Sequence, residues 1–212
     1  MYIQLTDKCN MACAHCCFSC TSKGTFMSQA VFDKAIAIAK EYSLWVTLGG
    51  GEPTLHPKCL DWVMQASLEL VDVSLELDAP AVLVVTNGKK KSVAIQLAKL
   101  AKLGVIQAEV SQDEFHEPID PETVKVFERY AAVRNVTGQY GDLPVIDAGR
   151  ASEECSNVRE GCACPTLFIA PNGDFYGCGC KEKKLGNILT DEIPESYWEK
   201  ADECHRKHLE YA

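Results

Sequence analysis

Residues 81–110 read AVLVVTNGKKKSVAIQLAKLAKLGVIQAEV, and the order of patterns in that stretch decides the fold. Ala81 to Val85 is a run of the kind found in buried strands, rich in β-branched residues. Ser92 to Leu103 has apolar residues at helical spacing, and Gly104 is suited to ending a helix. Val105 to Val110 is again strand-like. Strand, helix and strand in this order predict a βαβ unit with parallel strands.

The same alternation extends outward in both directions. Tyr2 to Thr6 is a short apolar strand candidate, and Leu44 to Leu48 is another. Between them, Ser28 to Tyr42 reads as a helix through Val31, Ala35, Ile38 and Ala39, with Ser28 as N-cap. Leu60 to Leu68 reads as helix, whereas Leu70 to Leu77 alternates like a strand and has no place in the βα order. Pro121 to Tyr130 is helical, with Pro121 in the first turn. Val133 to Thr137 and Pro144 to Ala148 are weaker strand candidates with no helix between them. Six strands are too few for a closed eight-stranded barrel. The expectation is therefore an α/β fold, an abbreviated open (βα)6-type partial TIM barrel over residues 1–150. The composition changes near Ser152, where cysteines and glycines accumulate around a turn at Pro171-Asn172-Gly173 that predicts a β-hairpin. Residues 151–212 are expected to form a small Cys-rich C-terminal domain.

The chain has 212 residues, 47% hydrophobic and 24% charged, which is globular composition. It contains no apolar run of membrane-spanning length. The first residues lack a basic region followed by an apolar stretch, so a cytoplasmic protein is expected. A formal net charge of −9 gives no basic field for wrapping nucleic acid. The short basic clusters at Lys89 to Lys91 and Lys181 to Lys184 read as solvated charge. The twelve cysteines are the unusual feature. Five lie between Cys9 and Cys20 and six between Cys155 and Cys204, with Cys59 alone between the groups. Clustered cysteines without a secretory signal point to metal binding rather than to a disulfide framework.

Cys9, Cys13 and Cys16 follow the first strand candidate with spacing Cys-x3-Cys-x2-Cys. Three thiolates on one loop can hold three irons of a cubane cluster and leave the fourth iron open to bind and activate a ligand. The same spacing also suits buried free thiols, or a zinc knuckle with His15, Cys17 or Cys20 as fourth ligand. The second strand candidate ends in Gly49-Gly50-Gly51-Glu52-Pro53. Further polar or glycine-rich groups end later strands: Thr86-Asn87-Gly88, Ser111 to His116, and Gly149-Arg150. In parallel αβ folds these strand ends form one mouth, where function sits.

The Cys-x3-Cys-x2-Cys loop followed by the GGEP stretch resembles the radical S-adenosylmethionine superfamily over roughly residues 1 to 150. The resemblance implies a 4Fe-4S cluster on Cys9, Cys13 and Cys16. Its open iron would be chelated by the amino and carboxylate groups of S-adenosylmethionine, with the edge of Gly49, Gly50, Gly51 and Glu52 holding the amino group and Pro53 completing the cofactor-binding motif. Reductive cleavage would then give a 5′-deoxyadenosyl radical that abstracts hydrogen from a substrate. The family usually has an aromatic residue near the adenine where this chain has His15, whose imidazole can also stack. Ser111 and Asp113 resemble the family's Ser-x-Asp segment, with the Ser near the cofactor's ribose or carboxylate. Asn87 belongs to the same cofactor-binding mouth. Arg150 suits bidentate pairing with the cofactor carboxylate. His116 is the candidate catalytic residue, to orient substrate or carry a proton. Glu52 has an alternative role in capping the next helix.

The C-terminal stretch, with Cys162, ten residues, Gly173, four residues and Cys178, is similar to the SPASM and twitch extensions of that superfamily. The similarity implies an auxiliary 4Fe-4S cluster on Cys162, Cys178, Cys180 and Cys204, with Cys155 and Cys164 as rival ligands. A zinc ribbon fits the same spacing. Cys17, Cys20 and Cys59 are read as ordinary thiols. The implied partners are a small-molecule or peptide substrate and a flavodoxin- or ferredoxin-type reductase. The implied reactions are oxidation, epimerisation, isomerisation or bond formation. Two other classes compete with this reading. One is a non-catalytic iron–sulfur or zinc carrier, which has no need of Gly49 to Pro53. The other is a base-modifying enzyme, which the acidic balance disfavours.

Overall fold

The computed structural model describes residues 1–134, 145–146, 148–155, 158–159, 167–181 and 183–199. Its elements begin with strand β1 (Tyr2–Gln4), helix α1 (Gln29–Glu41), strand β2 (Val46–Gly49) and a 3-10 turn (Pro53–Leu55). Helices α2 (Cys59–Glu69) and α3 (Val71–Leu77) precede β3 (Val82–Thr86), α4 (Lys91–Lys102), β4 (Gln107–Ser111), α5 (Pro121–Tyr130) and β5 (Ala132–Arg134). The later part contains β6 (Val145–Ile146), α6 (Ala151–Glu154), β7 (Val158–Arg159), β8 (Phe168–Ile169), β9 (Asp174–Tyr176), β10 (Lys184–Asn187) and α7 (Glu195–Glu199).

The expected α/β sheet is present. Strands β1 to β5 are consecutive and parallel, as the helical crossovers between them require. Each exposes its C-terminal end at the same edge. The full sheet has the order β10-β9-β8-β1-β2-β3-β4-β5.

Two details differ from the sequence expectation. The Pro144 to Ala148 candidate does not extend the main sheet; its strand β6 pairs with β7 in a separate two-stranded sheet. The sixth parallel strand is β8, which pairs with the free edge of β1. The hairpin expected at Pro171-Asn172-Gly173 then joins β8 to β9, with Gly173 at φ +87. The second difference is α3. The alternating residues from Leu70 to Leu77 form a helix, because Leu70 N–H donates to Ala66 O and Ser74 N–H to Leu70 O. Its core contacts are Leu70 and Val73, one helical turn apart, and not every second residue.

The core lies between the sheet and the helices. It includes Ile3, Leu48, Val82, Val84 and Val110 from the strands and Leu5 just after β1. Phe32 and Trp62 stack from α1 and α2, with ring centroids 4.3 Å apart. Trp62 also donates its indole N–H to Gln29 at 2.9 Å, so this contact fixes α1 to α2 in both polar and apolar terms.

Candidate functional site

The loop after β1 carries Cys9, Cys13 and Cys16, all half-buried. It is held by backbone bonds, not by its own secondary structure. Cys9 N–H donates to Thr21 O at 2.7 Å and Cys16 N–H to Cys13 O at 3.2 Å. The loop after β2 is laid directly against it. Gly51 N–H donates to Thr6 O at 2.7 Å and Glu52 N–H to Lys8 O at 2.8 Å. At that spacing there is no room for a side chain, since a Cβ on Gly51 would lie 2.3 Å from Lys8 O. The glycine run thus lets the cysteine loop approach the end of β2. Gly51→Ala is expected to push the loop out and lower iron retention, measured by iron analysis after anaerobic reconstitution. Iron content equal to that of the wild type would contradict this role.

A cavity of about 170 Å³ opens at this edge. Among its lining residues are Cys9, Cys13, His15, Cys16, Gly50, Gly51, Asn87, Ser111 and His116. The structure therefore brings most of the expected mouth together. Asn87 reaches across from the end of β3, donating from Nδ2 to Asn10 Oδ1 at 2.9 Å and more weakly to Cys9 Sγ at 3.8 Å. In the metal-free chain burial raises the Cys9 and Cys13 thiols, the latter to about 11. Cys16 is drawn down to about 5, chiefly by hydrogen bonding with Cys20.

At the opposite wall, Asp113 accepts from His116 Nδ1–H at 2.6 Å and Phe115 N–H at 3.0 Å. Burial pushes this carboxyl up, but the bond to and charge of His116 outweigh it and hold the group low. His15 packs its ring against Phe115 and His116, with centroids 4.8 and 4.9 Å away. Burial lowers His15 to about 4, which keeps the imidazole neutral near pH 7. Asp113 Oδ2 and His15 Nδ1 are buried and have no hydrogen-bond partner. His15 lines the cavity, so its unpaired Nδ1 is suited to meet a ligand, whereas Asp113 lies behind the lining residues and holds His116.

Two expected cofactor contacts have other work. Glu52 is fully enclosed, with 0% exposure. Its Oε1 accepts from Thr54 N–H at 3.0 Å, Thr54 Oγ1 at 2.5 Å and Thr86 Oγ1 at 2.7 Å. Its Oε2 accepts from Asn87 N–H at 2.7 Å. The carboxylate caps the 3-10 turn and ties the end of β2 to that of β3; it does not line the cavity. Pro53 starts that turn and is also buried. Gly49 lies at the end of β2, where its carbonyl accepts from Leu5 N–H.

Arg150 is the second case. Its guanidinium donates to Cys13 O at 2.9 Å and Cys20 O at 2.6 Å, while its backbone N–H donates to Cys16 O at 3.0 Å. In this structure it clamps the cysteine loop and is not among the residues that line the cavity. Gly149 before it has φ +58, and a Cβ there would lie 2.4 Å from Cys17 O. Arg150→Ala is expected to strip Cys20 O of its side-chain donor, to leave Cys13 O with only the Cys16 N–H, and to speed iron loss to a chelator, with Arg150→Lys intermediate because lysine lacks the fork. An unchanged rate of iron release would contradict the clamp.

The sequence reading missed a polar column under the loop. Tyr2 and Gln4 share one face of β1, and this period of two was the available signal. Tyr2 Oη accepts from Gly50 N–H at 3.0 Å. Gln4 contacts Cys20 Sγ at 3.7 Å and accepts from Lys181 Nζ at 2.9 Å. Lys181 also lies over the Phe168 and Phe18 rings, so the turn after Cys180 packs beneath the cysteine loop. Cys178 is buried, and Cys155 and Cys180 are half-buried. Cys162, Cys164 and Cys204 lie outside the described residues.

The fold and site define a parallel α/β partial barrel that presents a three-cysteine loop at its strand ends. The chain belongs to the Radical SAM superfamily, whose model matches residues 3–138. Membership implies a 4Fe-4S cluster, S-adenosylmethionine and radical chemistry. Three half-buried thiols beside an open cavity are a donor set that fits such a cluster. YydG of Bacillus subtilis (strain 168), named for peptide biosynthesis, is 27% identical over 152 residues. The match covers 68% of this chain and 43% of that relative's length. Among solved structures, BtrN in complex with AdoMet and 2-DOIA aligns with a TM-score of 0.67 at 14% identity, over 100% of this chain and 88% of BtrN. The anSMEcpe protein with bound AdoMet and Cp18Cys peptide aligns with a TM-score of 0.55 at 14% identity, over 98% and 81%. These two likenesses are of fold. No helix among the described residues is long and apolar enough to cross a membrane.

Proposed function

We propose that the chain binds a 4Fe-4S cluster through Cys9, Cys13 and Cys16 and uses it to cleave S-adenosylmethionine, starting hydrogen abstraction from a peptide or small-molecule substrate. The carrying observation is the three-thiol loop beside a cavity that His15, Ser111 and His116 also line. When bound, the cluster supplies the electron that breaks the cofactor's carbon–sulfur bond.

The chain's own groups hold and enclose. Gly50 and Gly51 keep the rim free of side chains, Asn87 steadies Cys9, and Glu52 and Arg150 fix the loops behind them. His15 offers an uncharged ring for stacking. His116, held by Asp113 at Nδ1, lines the cavity, where its ring can orient a substrate or carry a proton. A peptide substrate is supported by the name of YydG and by the peptide bound to anSMEcpe; a small one is supported by the 2-DOIA bound to BtrN.

The proposal also includes a cytoplasmic setting, a flavodoxin- or ferredoxin-type electron donor, and an auxiliary 4Fe-4S cluster in residues 151–212. Cys178 and Cys180 are its favoured ligands within the described residues, with Cys155 as rival. The test is spectroscopic and analytical. Adding S-adenosylmethionine to the reduced, reconstituted protein should shift the electron paramagnetic resonance signal of the first cluster, because only a cluster with an open iron can take the ligand. Iron analysis should find about eight irons per chain, two four-iron clusters. No shift would reject the open-iron reading. Four irons, or zinc in place of the second cluster, would reject the auxiliary one.

A further inference from the structure

Helices α2 and α3 are apolar on two faces. Trp62, Val63, Ala66, Leu70 and Val73 are buried against the core. Met64, Leu68, Val71 and Leu75 form a second row, spaced four, three and four residues apart, and point outward at 37, 70, 49 and 76% exposure. That spacing is the seam by which one helix packs on another. Helices in solution normally turn one apolar stripe to the core and a polar face to water, and contiguous exposed apolar rows mark interaction sites.

The charge beside the row is of one sign. The residues that follow its four members are Gln65, Glu69, Asp72 and Glu76, and Asp61 and Asp78 bracket its ends. From Cys59 to Gly88 there is no lysine or arginine. Asp61, Asp72, Glu76 and Asp78 make no ion pair with any described residue. A second copy docked two-fold on this row would set acids against acids, in a chain already at −9. An anionic lipid surface would be repelled likewise.

We propose that the outward row of α2 and α3 docks an amphipathic helix of a partner protein or peptide, with apolar residues at the same spacing and lysines or arginines along their flank. Such a helix fills the seam and neutralises the acidic rim. The surface lies on the helical layer, away from the strand-end cavity, and does not depend on the radical chemistry.

The test uses the full-length reconstituted protein and a fluorescein-labelled two-heptad helix of leucine and lysine, followed by fluorescence anisotropy. The helix should bind at least about tenfold more tightly than a scrambled peptide of the same composition. Leu68→Gln with Leu75→Gln should weaken binding by about tenfold or more, with iron content and cofactor cleavage unchanged. Asp72→Lys with Glu76→Lys should weaken it too, and a peptide with glutamate for lysine should restore it. Equal binding of the scrambled peptide, or no effect of the leucine changes, would overturn the proposal. So would a dimer in sedimentation, or binding to phosphatidylcholine vesicles, that the leucine changes abolish, since the occupant would then be a second copy or a lipid surface.

Discussion

With Cys9, Cys13 and Cys16 all replaced by alanine, 5′-deoxyadenosine formation is expected to fall to the level of a protein-free blank. The three thiols stand on one loop lining the cavity, and among the described residues Cys17 is the one further thiol that lines it, too few to replace three thiolate ligands. Iron should drop by about four per chain, with any C-terminal cluster retained. Cys59→Ala is the matched control. Cys59 is buried at the start of α2, and its loss should leave the yield of 5′-deoxyadenosine unchanged. Cofactor cleavage by the triple variant would place the reactive cluster elsewhere.

The second large effect is on stability, at Glu52. Glu52→Ala removes one acceptor group from two backbone N–H groups and two hydroxyls, all buried. Burial raises this carboxyl, and the bonds from Thr54, Asn87 and Thr86 oppose the rise. Leaving the donors unpaired should cost on the order of 3 kcal/mol. For a chain of this length that lowers the melting temperature by roughly 6–12 °C. Iron content should fall with it, because Asn87 N–H is one of the four donors and Asn87 also contacts Cys9. Glu52→Gln keeps one oxygen and should lose less. A normal melt with weakened cofactor affinity alone would restore Glu52 to the role of cofactor contact.

That contrast shows where the sequence was legible. Elements built from local periodicity, such as α1, β3, α4 and α5, follow from spacing and capping. The cysteine loop and the glycine run were legible because their chemistry depends on residues close in the chain. The capping role of Glu52 was legible too, and the structure has it as N-cap of the 3-10 turn, but its tie to β3 was not, because Thr86 and Asn87 lie more than thirty positions away. Arg150 is further still from the Cys13 and Cys20 carbonyls that it clamps. Strand β8 was hidden for another reason. The turn at Pro171-Asn172-Gly173 announced its pairing with β9, but two residues in a cysteine-rich tail carry no period that names the free edge of β1 as the other partner. In α3, alternation at Val71, Val73, Leu75 and Leu77 imitated a strand because only Val73 among them packs on the core. The others are exposed, and they belong to a surface the sequence pattern could not assign.

The central claim is that the loop from Cys9 to Cys16 supports reductive cleavage of S-adenosylmethionine. The direct measurement is anaerobic incubation of the reconstituted wild-type chain with S-adenosylmethionine and dithionite, with chromatography for 5′-deoxyadenosine and methionine. The account predicts both products in equal amounts, above the blank and increasing with protein. Protein that retains its iron but forms neither product would contradict it.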